Sequence, residues 1–302
     1  MAENAGDGMP GWMKYAAAGG LFLLLLPLAL TALISGREAV AVVKEPDLES
    51  CLPMILCQEI PWDFQEETLK AQAVLARSSL YFYRKENGSK GELPGEELSL
   101  YQEEKDKKEY REAYERMEKA VQDTRGEVLM YQGEVCRGAF HRISAGTTRS
   151  GEEVLGDTGY LDCVESVWDL QSEEYLTGHY FSLEAFRQRA AECFPRANLT
   201  GDSLEEQLEI LKRDSSDYVL EIRVGDQTVQ GEEFREKLEL SSSNFTIQEL
   251  DGKLRFLCKG AGHGLGMSQY GANVMAGEGK SYRDILLYYF PEGTLGRLSG
   301  LS

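Results

Sequence analysis

A helix is encoded at Gln65–Tyr83, where the sequence reads QEETLKAQAVLARSSLYFY. Its apolar side chains recur every three or four residues, which predicts one buried helix face. That face comprises Leu69, Ala73, Ala76, Leu80 and Tyr83. A second amphipathic helix, rich in charge, is predicted between Tyr110 and Val121.

Alternating stretches on both sides of these helices predict strands. Short strands are expected within GEVLMYQGEV and RGAFHRIS, and longer ones in DYVLEIRV, FTIQEL and LRFLCKG. Asp251-Gly252 joins the last two, which predicts a hairpin. Ser203 and Glu206 form a capping-box pattern ahead of LEEQLEILKR, where we expect a helix. Two short helices are predicted near the end, at about 269–276 and 282–289. The pattern indicates one α+β domain over residues 49–297.

Composition narrows the class of function. The 302 residues include 51 acidic and 32 basic side chains, giving a formal charge of −19. Nucleic acid is an unsuitable partner, because phosphate binding needs clustered Lys and Arg. Three histidines exclude a His-rich metal centre, and six scattered cysteines with no CxxC favour free thiols over a disulfide framework.

An uncharged apolar run near the start predicts a membrane anchor. The run covers 19 residues, Ala16–Ile34, and nearly spans a bilayer core of about 30 Å. A cleavable signal peptide is the alternative, with Ala39-Val40-Ala41 as its cleavage site. We favour the anchor because the run is longer than a signal-peptide core. The predicted order is a tail at 1–14, an anchor at 15–35 and a linker at 36–48.

Three short segments carry residues suited to chemistry. Glu59 lies among Leu56, Ile60 and Trp62, where partial burial raises a carboxyl pKa and suits it to general acid work. A solvated surface Glu is the alternative. The second segment, GAGHGLGMSQYG, places His263 in a glycine-rich loop that permits close approach of a ligand, or simply makes a turn before a helix.

The third segment is AFHRISAG, in which His141 ends a predicted strand and is either a site residue or a packed core histidine. Ser144, His263 and Asp169 could be arranged as a catalytic triad on paper. We disfavour that triad because the chain has no GxSxG elbow.

At these segments the sequence resembles the stage II sporulation protein D family, the peptidoglycan lytic transglycosylases of endospore-forming bacteria. The resemblance covers about residues 50–297. It is carried by EIPWDFQEETLKAQAVLARSSLYFY, by AFHRISAGTT with YLDCVESVWD, by EEFREKLELSSSNFTI and, most specifically, by GHGLGMSQYGANVMAGEGKSYRDILLYYFPEGTL.

The resemblance implies that Glu59 is the single catalytic acid/base. It would protonate the bond between N-acetylmuramic acid and N-acetylglucosamine, then accept the muramic acid 6-hydroxyl proton as a 1,6-anhydro ring closes. Motif positions also assign substrate binding or site support to Arg77, His141, Ser144, His263, Gln269 and Tyr270. Lys70 and Gln72 match too, although helix packing or capping would explain both.

Two other classes of function stay open. One is a non-catalytic glycan-binding module that enhances a partner amidase. The other is a structural bridge in a membrane complex, with the acidic helix as its contact surface. Retention of Glu59 favours the enzyme, because a pure binder has no need of that carboxyl group.

The resemblance also implies partners and a location. The substrate would be glycan strands freed of peptides by an amidase, stage II sporulation protein P, with a further engulfment membrane protein nearby. The expected location is the mother-cell membrane, with the domain outside the cytoplasm and facing the intermembrane space. Some relatives carry a Cys/His zinc site after the first helix, but Lys85–Lys108 contains neither residue, so we predict no metal and no cofactor. The acidic loop and helix at 86–122 resemble an insertion.

Overall fold

The computed structural model describes residues 48–87, 108–156, 158–200 and 203–298. Eight α-helices occur within these ranges: α1 Leu48–Glu59, α2 Glu66–Asn87, α3 Lys108–Asp123, α4 Gly151–Leu155, α5 Leu183–Cys193, α6 Gly231–Lys237, α7 Gln269–Gly277 and α8 Tyr282–Tyr289. The strands are β1 Glu127–Tyr131, β2 Glu134–Val135, β3 Phe140–His141, β4 Leu176–Ser182, β5 Leu208–Arg213, β6 Val219–Val224, β7 Gln227–Gln230, β8 Phe245–Leu250, β9 Lys253–Lys259, β10 Met267–Ser268 and β11 Thr294–Arg297.

The mixed α/β class is confirmed. The predicted anchor, tail and linker lie outside the described residues, apart from the linker's last residue. Within the described ranges, no helix is long and apolar enough to cross a membrane. The predicted loop before α3 also falls mostly outside them.

Helix α2 is the centre of the molecule because it is buried on two sides. Leu69, Ala73 and Ala76 pack against α1 and α3, as the sequence pattern predicts. Ala71, Val74 and Leu75 face a second core, formed with α7, α8 and β1. The prediction of a single apolar face was therefore incomplete. Its last member, Tyr83, is wrong, since that side chain is 63% exposed.

The strands form four small sheets, and most predicted strands are confirmed. β4, β9 and β8 make one antiparallel sheet, with the hairpin turn at Asp251-Gly252 as predicted. A second sheet orders β5-β6-β7, a third β11-β1-β2, and β3 pairs parallel with β10. The first two sheets share an aromatic core around Phe234, Phe245 and Phe256.

One predicted helix is wrong. LEEQLEILKR contains only a short 3-10 turn, Glu205–Gln207, and then continues as β5. The Ser203 hydroxyl does accept a hydrogen bond from the Glu206 amide, so the local signal was present. Pairing with β6 overrides it, because Leu208 and Ile210 face the core on alternate positions, as a strand requires.

Candidate active site

Glu59 is the last residue of α1 and is partly buried. Its carboxyl Oε2 accepts a hydrogen bond from Gln72 Nε2 at 2.9 Å. Leu56 and Ile60, on either side in sequence, are fully or nearly fully buried, while Trp62 is 39% exposed. The carboxyl group therefore lies between an apolar core and solvent.

Gln269, the first residue of α7, brings a third segment to this point. Its Nε2 donates to the backbone oxygen of Glu59 at 2.8 Å and to Gln72 Oε1 at 3.3 Å. Three segments distant in sequence, the ends of α1 and α7 and the middle of α2, thus meet around one carboxyl group. The sequence predicted Glu59 and Gln269 as site residues, whereas the match at Gln72 was equally explained by helix packing or capping.

The pKa of Glu59 is raised from 4.5 to about 7. Burial is the main cause, because it penalises the charged form, and the Gln72 hydrogen bond offsets part of the increase. A carboxyl group with this pKa can give up and take back a proton at neutral pH.

Asp169 holds the start of α7 in place. Ser268, the N-cap of α7, accepts a hydrogen bond from the Gly271 amide and donates to Asp169 Oδ1 at 2.7 Å. The other oxygen of Asp169 accepts from the backbone amide of Ser144 at 2.8 Å and from its hydroxyl at 2.5 Å. Asp169 thereby connects the AFHRISAG segment to Ser268, whose neighbour Gln269 contacts Glu59.

The disfavoured Ser144–His263–Asp169 triad is not formed. Ser144 donates directly to Asp169, and His263 does not lie between them. His263 instead accepts a hydrogen bond at Nδ1 from the amide of Leu265. Ser144 is completely buried, so its place is in the framework of the site.

His141 and His263 lie together, with ring centroids 6.1 Å apart. His141 Nδ1 is bonded to the Leu265 carbonyl at 3.1 Å, so the two rings bracket one residue of the glycine-rich loop. Burial lowers the pKa of both to about 4, which leaves both rings neutral at pH 7. In the described residues neither ring contacts Glu59.

The glycine-rich loop needs its glycines. Gly266 has φ 70°, and a Cβ there would lie 2.2 Å from the backbone oxygen of Ala139 on the neighbouring segment. Only glycine permits both this φ and this close approach, which lets β10 pair with β3 just before Gln269. Tyr270 follows, half-buried, with its amide donating to the Arg142 carbonyl.

Arg77 lies away from these contacts. It is fully buried, and its Nε and Nη2 bind the Glu49 carboxylate at 2.6 and 3.0 Å. Further bonds reach the carbonyls of Val121 and Glu127. The ion pair thus ties α1, α2, α3 and β1 together, and Arg77 supports the site through the framework rather than by touching a ligand.

Side chains of the kinds that bind metal ions are scattered through the described residues. In the described ranges no three His, Cys, Asp or Glu side chains are grouped so as to hold an ion. The six cysteines all lie in the described residues and form no disulfide; three are buried, Cys57 and Cys193 are half-buried and Cys163 is exposed.

The fold and the site together define an α+β protein built around one partly buried glutamic acid. The Stage II sporulation protein (SpoIID) family model matches residues 36–131, which include Glu59 and Gln72. Stage II sporulation protein D of Bacillus amyloliquefaciens is 31% identical over 261 residues, covering 82% of this chain and 74% of the relative. The Bacillus subtilis (strain 168) protein of the same name is 30% identical over 271 residues, covering 85% and 76%. The chain belongs to this family of sporulation proteins.

A shorter match reaches a different protein. The amidase enhancer of Bacillus subtilis (strain 168) is 46% identical over 54 residues, which is 18% of this chain and 8% of that protein.

Proposed function

We propose that the protein is a peptidoglycan lytic transglycosylase with Glu59 as its single acid/base. The observation that carries the proposal is the environment of Glu59. Its pKa is raised to about 7 by burial, and the groups that contact it are neutral amides. Glycosidases that use water normally need a second carboxylate. In the described residues no neighbouring charge contributes to the raised pKa of Glu59, whose two causes are burial and the Gln72 hydrogen bond; this favours a reaction that needs only one carboxyl group.

The proposed reaction has two proton transfers through the same group. Protonated Glu59 donates its proton to the glycosidic oxygen, and the bond from muramic acid C1 to that oxygen breaks. The resulting carboxylate then takes the proton of the muramic acid 6-hydroxyl, whose oxygen bonds to C1 and closes the 1,6-anhydro ring. Glu59 ends protonated, so each cycle restores the starting state and consumes no water.

The surrounding amides suit both states of this cycle. Gln72 Nε2 donates to the Glu59 carboxyl and stabilises its charged form after the first transfer. Gln269 fixes the backbone of Glu59 and also orients the Gln72 amide by binding its oxygen. Tyr270, half-buried beside Gln269, is proposed to contact the glycan, with His141 and His263 shaping the adjoining loop.

The test is mass spectrometry of peptide-free glycan strands incubated with the full chain in detergent. We expect 1,6-anhydro ends from wild type and a loss of about a thousandfold in rate for Glu59→Gln, in the range typical of a general acid/base. Glu115→Gln, an exposed position on α3, is the matched control and should cleave normally. Ordinary reducing ends would instead identify a hydrolase and refute the proposal.

We further propose the setting that the resemblance implies. The chain would sit in the mother-cell membrane, anchored at residues 15–35, with its domain facing the intermembrane space. Its partners would be stage II sporulation protein P, the amidase that prepares the strands, and another engulfment membrane protein. Co-purification of the amidase with the full chain from sporulating cells tests the partnership.

A non-catalytic binding module that enhances an amidase is the second candidate. The match to the amidase enhancer favours it. The two candidates differ in what Glu59→Gln does. A binder that relies on this carboxyl group loses glycan affinity in the variant, and its wild type never produces anhydro ends. The proposed enzyme keeps its affinity and loses only cleavage.

A further inference from the structure

The β4-β9-β8 sheet has one face packed on the core and one face exposed. Phe245, Phe256 and Cys258 point inward and are buried. The alternate positions point outward, as strand geometry requires. On β4 these are Leu176, Gly178 and Tyr180, and on β9 they are Lys253, Arg255, Leu257 and Lys259.

The outward positions of β9 form a row of positive charge. Lys253 and Lys259 are exposed and Arg255 is partly exposed. At about 3.3 Å per residue, Lys253 and Arg255 are roughly 7 Å apart and the whole row spans roughly 20 Å. Within the part of the chain that the structure describes, none of the three forms an ion pair. Arg255 donates from Nη2 to Gln248, while its buried Nε has no partner there.

This row contrasts with the acidic composition of the chain. A protein with a formal charge of −19 repels anions on average, so an anionic polymer can approach only where positive charge is concentrated. Three cations on one strand, without carboxylate partners, provide such a place. They have no evident role in holding the sheet, since their heads are directed to solvent or to an amide.

A tyrosine ring lies beside the row. Tyr180 is 61% exposed and is opposite Arg255 in the β4–β9 register. A Cβ on Gly178 would lie 2.9 Å from Tyr180 Cε2, 3.1 Å from the hydroxyl oxygen and 3.2 Å from Cζ. The Tyr180 ring therefore occupies the space that the side chain of any residue larger than glycine at position 178 would need. Glycine at 178 lets the tyrosine lie across the strand, with its other side open to solvent.

We infer that this face is a second binding site for the glycan strand, distinct from the Glu59 site, and that its ligand is a carboxylate-bearing polysaccharide. The inference rests on the proposed function. Hydrolysis of the amide that joins a stem peptide to the lactyl group leaves a free carboxylate on each muramic acid. A peptide-free strand thus presents repeated negative charges, which the β9 row complements, and sugar rings, which Tyr180 can stack against.

The glycine-rich loop connects this face to the Glu59 site along the chain. Strand β9 ends at Lys259 and continues directly into the glycine-rich loop, which ends at Gln269. The cations therefore belong to the same continuous segment as a residue that binds Glu59. A strand held along β9 would be retained between successive cleavages.

The experiment measures strand binding without cleavage, in the full chain carrying Glu59→Gln. The probe is a fluorescently labelled peptide-free glycan strand, and a neutral N-acetylglucosamine oligomer of similar length serves as the comparison. Lys253→Gln, Arg255→Gln and Lys259→Gln are combined in one variant. The matched control combines Arg111→Gln, Arg125→Gln and Lys280→Gln, which removes the same charge from exposed positions elsewhere.

We expect the β9 variant to bind the peptide-free strand roughly tenfold more weakly, as the loss of three exposed charge contacts implies. The control variant should bind like its parent, and 0.5 M salt should remove most of the difference. Tyr180→Ala should weaken binding of both the charged strand and the neutral oligomer. Circular dichroism would verify that each variant is folded.

Unchanged strand affinity in the β9 variant, or an equal loss in the control, would overturn the inference. So would a loss of binding to phosphatidylglycerol vesicles with strand affinity intact, because that result would assign the face to a lipid surface. Binding is read here in a chain that cannot cleave. Failure of the proposed transglycosylase reaction would therefore appear separately, as wild type producing no anhydro ends.

Discussion

Helix α1 carries two glutamates that the fold treats in opposite ways. Glu49, in its first turn, is 7% exposed and forms a two-pronged ion pair with the fully buried Arg77. Glu59, its last residue, is partly buried, and within the described ranges its carboxyl group accepts a hydrogen bond from the neutral amide of Gln72. Both partners, Gln72 and Arg77, lie on α2, a little more than one helix turn apart. The same helix therefore places a cation beside Glu49 and a neutral amide beside Glu59.

The difference separates a structural carboxylate from a reactive one. A buried charge with a partner is stable as an ion, and removing either partner leaves the other uncompensated. A buried carboxyl group without a cation stays easy to protonate, which is the property that acid/base chemistry requires. The ion pair at Glu49, the framework end of α1, thus holds the helix in place. Glu59, the reactive end, depends on the helix being held there.

Breaking the framework end should have the largest effect. Arg77→Met removes the buried guanidinium that pairs with Glu49 and should lower the free energy of unfolding by about 3–5 kcal/mol. Denaturant unfolding measures the loss. Arg142→Met is the matched control, because Arg142 makes an exposed ion pair with Glu174 and should cost at most about 1 kcal/mol. Combining Arg77→Met with Glu49→Leu should restore much of the stability, and equal losses in the single and double variants would contradict the assignment.

Replacing Glu59 by a neutral residue should raise the free energy of unfolding at neutral pH. Because the pKa of Glu59 is higher in the folded state, folding binds a proton more tightly and stability falls as pH rises from about 4.5 to 7. A shift from 4.5 to about 7 corresponds to at most about 3 kcal/mol. Glu59→Gln should therefore be more stable than wild type above pH 7 and closely similar below pH 4.5.

Unfolding curves of wild type and Glu59→Gln, collected from pH 4 to 8, give this difference directly. Glu115→Gln should follow wild type at every pH. A constant difference between wild type and Glu59→Gln across the range would mean that Glu59 has an ordinary pKa, which would also remove the main support for its catalytic role.

Elements with a strong local signal were predictable from the sequence. The pattern gave α2, α3, α7, α8 and the β8–β9 hairpin to within a few residues. Helix α1 was missed for two reasons. Its nearly uninterrupted apolar run has no amphipathic pattern, and it contains Pro53, a residue that usually argues against a helix interior. Strand β5 was predicted as a helix because its capping signal is local, whereas its pairing with β6 is not.

The site residues that belong to a recognisable sequence motif could be predicted. Glu59 and Gln269 could be named from sequence, and the structure brings them together. Gln72 and Asp169 could not be given their roles. Each acts through a contact between segments far apart in sequence, Gln72 with Gln269 and Asp169 with Ser144 and Ser268, and no local spacing encodes such contacts.

Weakening the hydrogen bonds that hold the start of α7 should reduce catalysis by Glu59 indirectly, through Gln269. Asp169→Asn replaces one acceptor oxygen by an NH2 group, so either the Ser144 amide or the Ser268 hydroxyl loses its partner. We expect a loss of about 2 kcal/mol in stability, typical of an unsatisfied buried group. Cleavage should fall with little change in KM, because Gln269 then holds Glu59 less firmly. Asp162→Asn, nearby but without such contacts, is the control, and a change in KM alone would contradict this positioning role.

The smallest expected effect would test the comparison most closely. Gln72→Met keeps the length of the side chain but removes the N–H that stabilises the Glu59 carboxylate. The pKa of Glu59 should rise further, by about one unit, since a hydrogen bond to a charged group is worth about 1.5–3 kcal/mol and a water molecule partly replaces the lost bond. The pH profile of cleavage should shift upward by the same amount, while Gln65→Met, exposed at the start of α2, leaves it unchanged. A profile that stays in place in Gln72→Met would show that Gln72 serves only to pack α2, and that burial without a cation partner is enough to raise the pKa of Glu59.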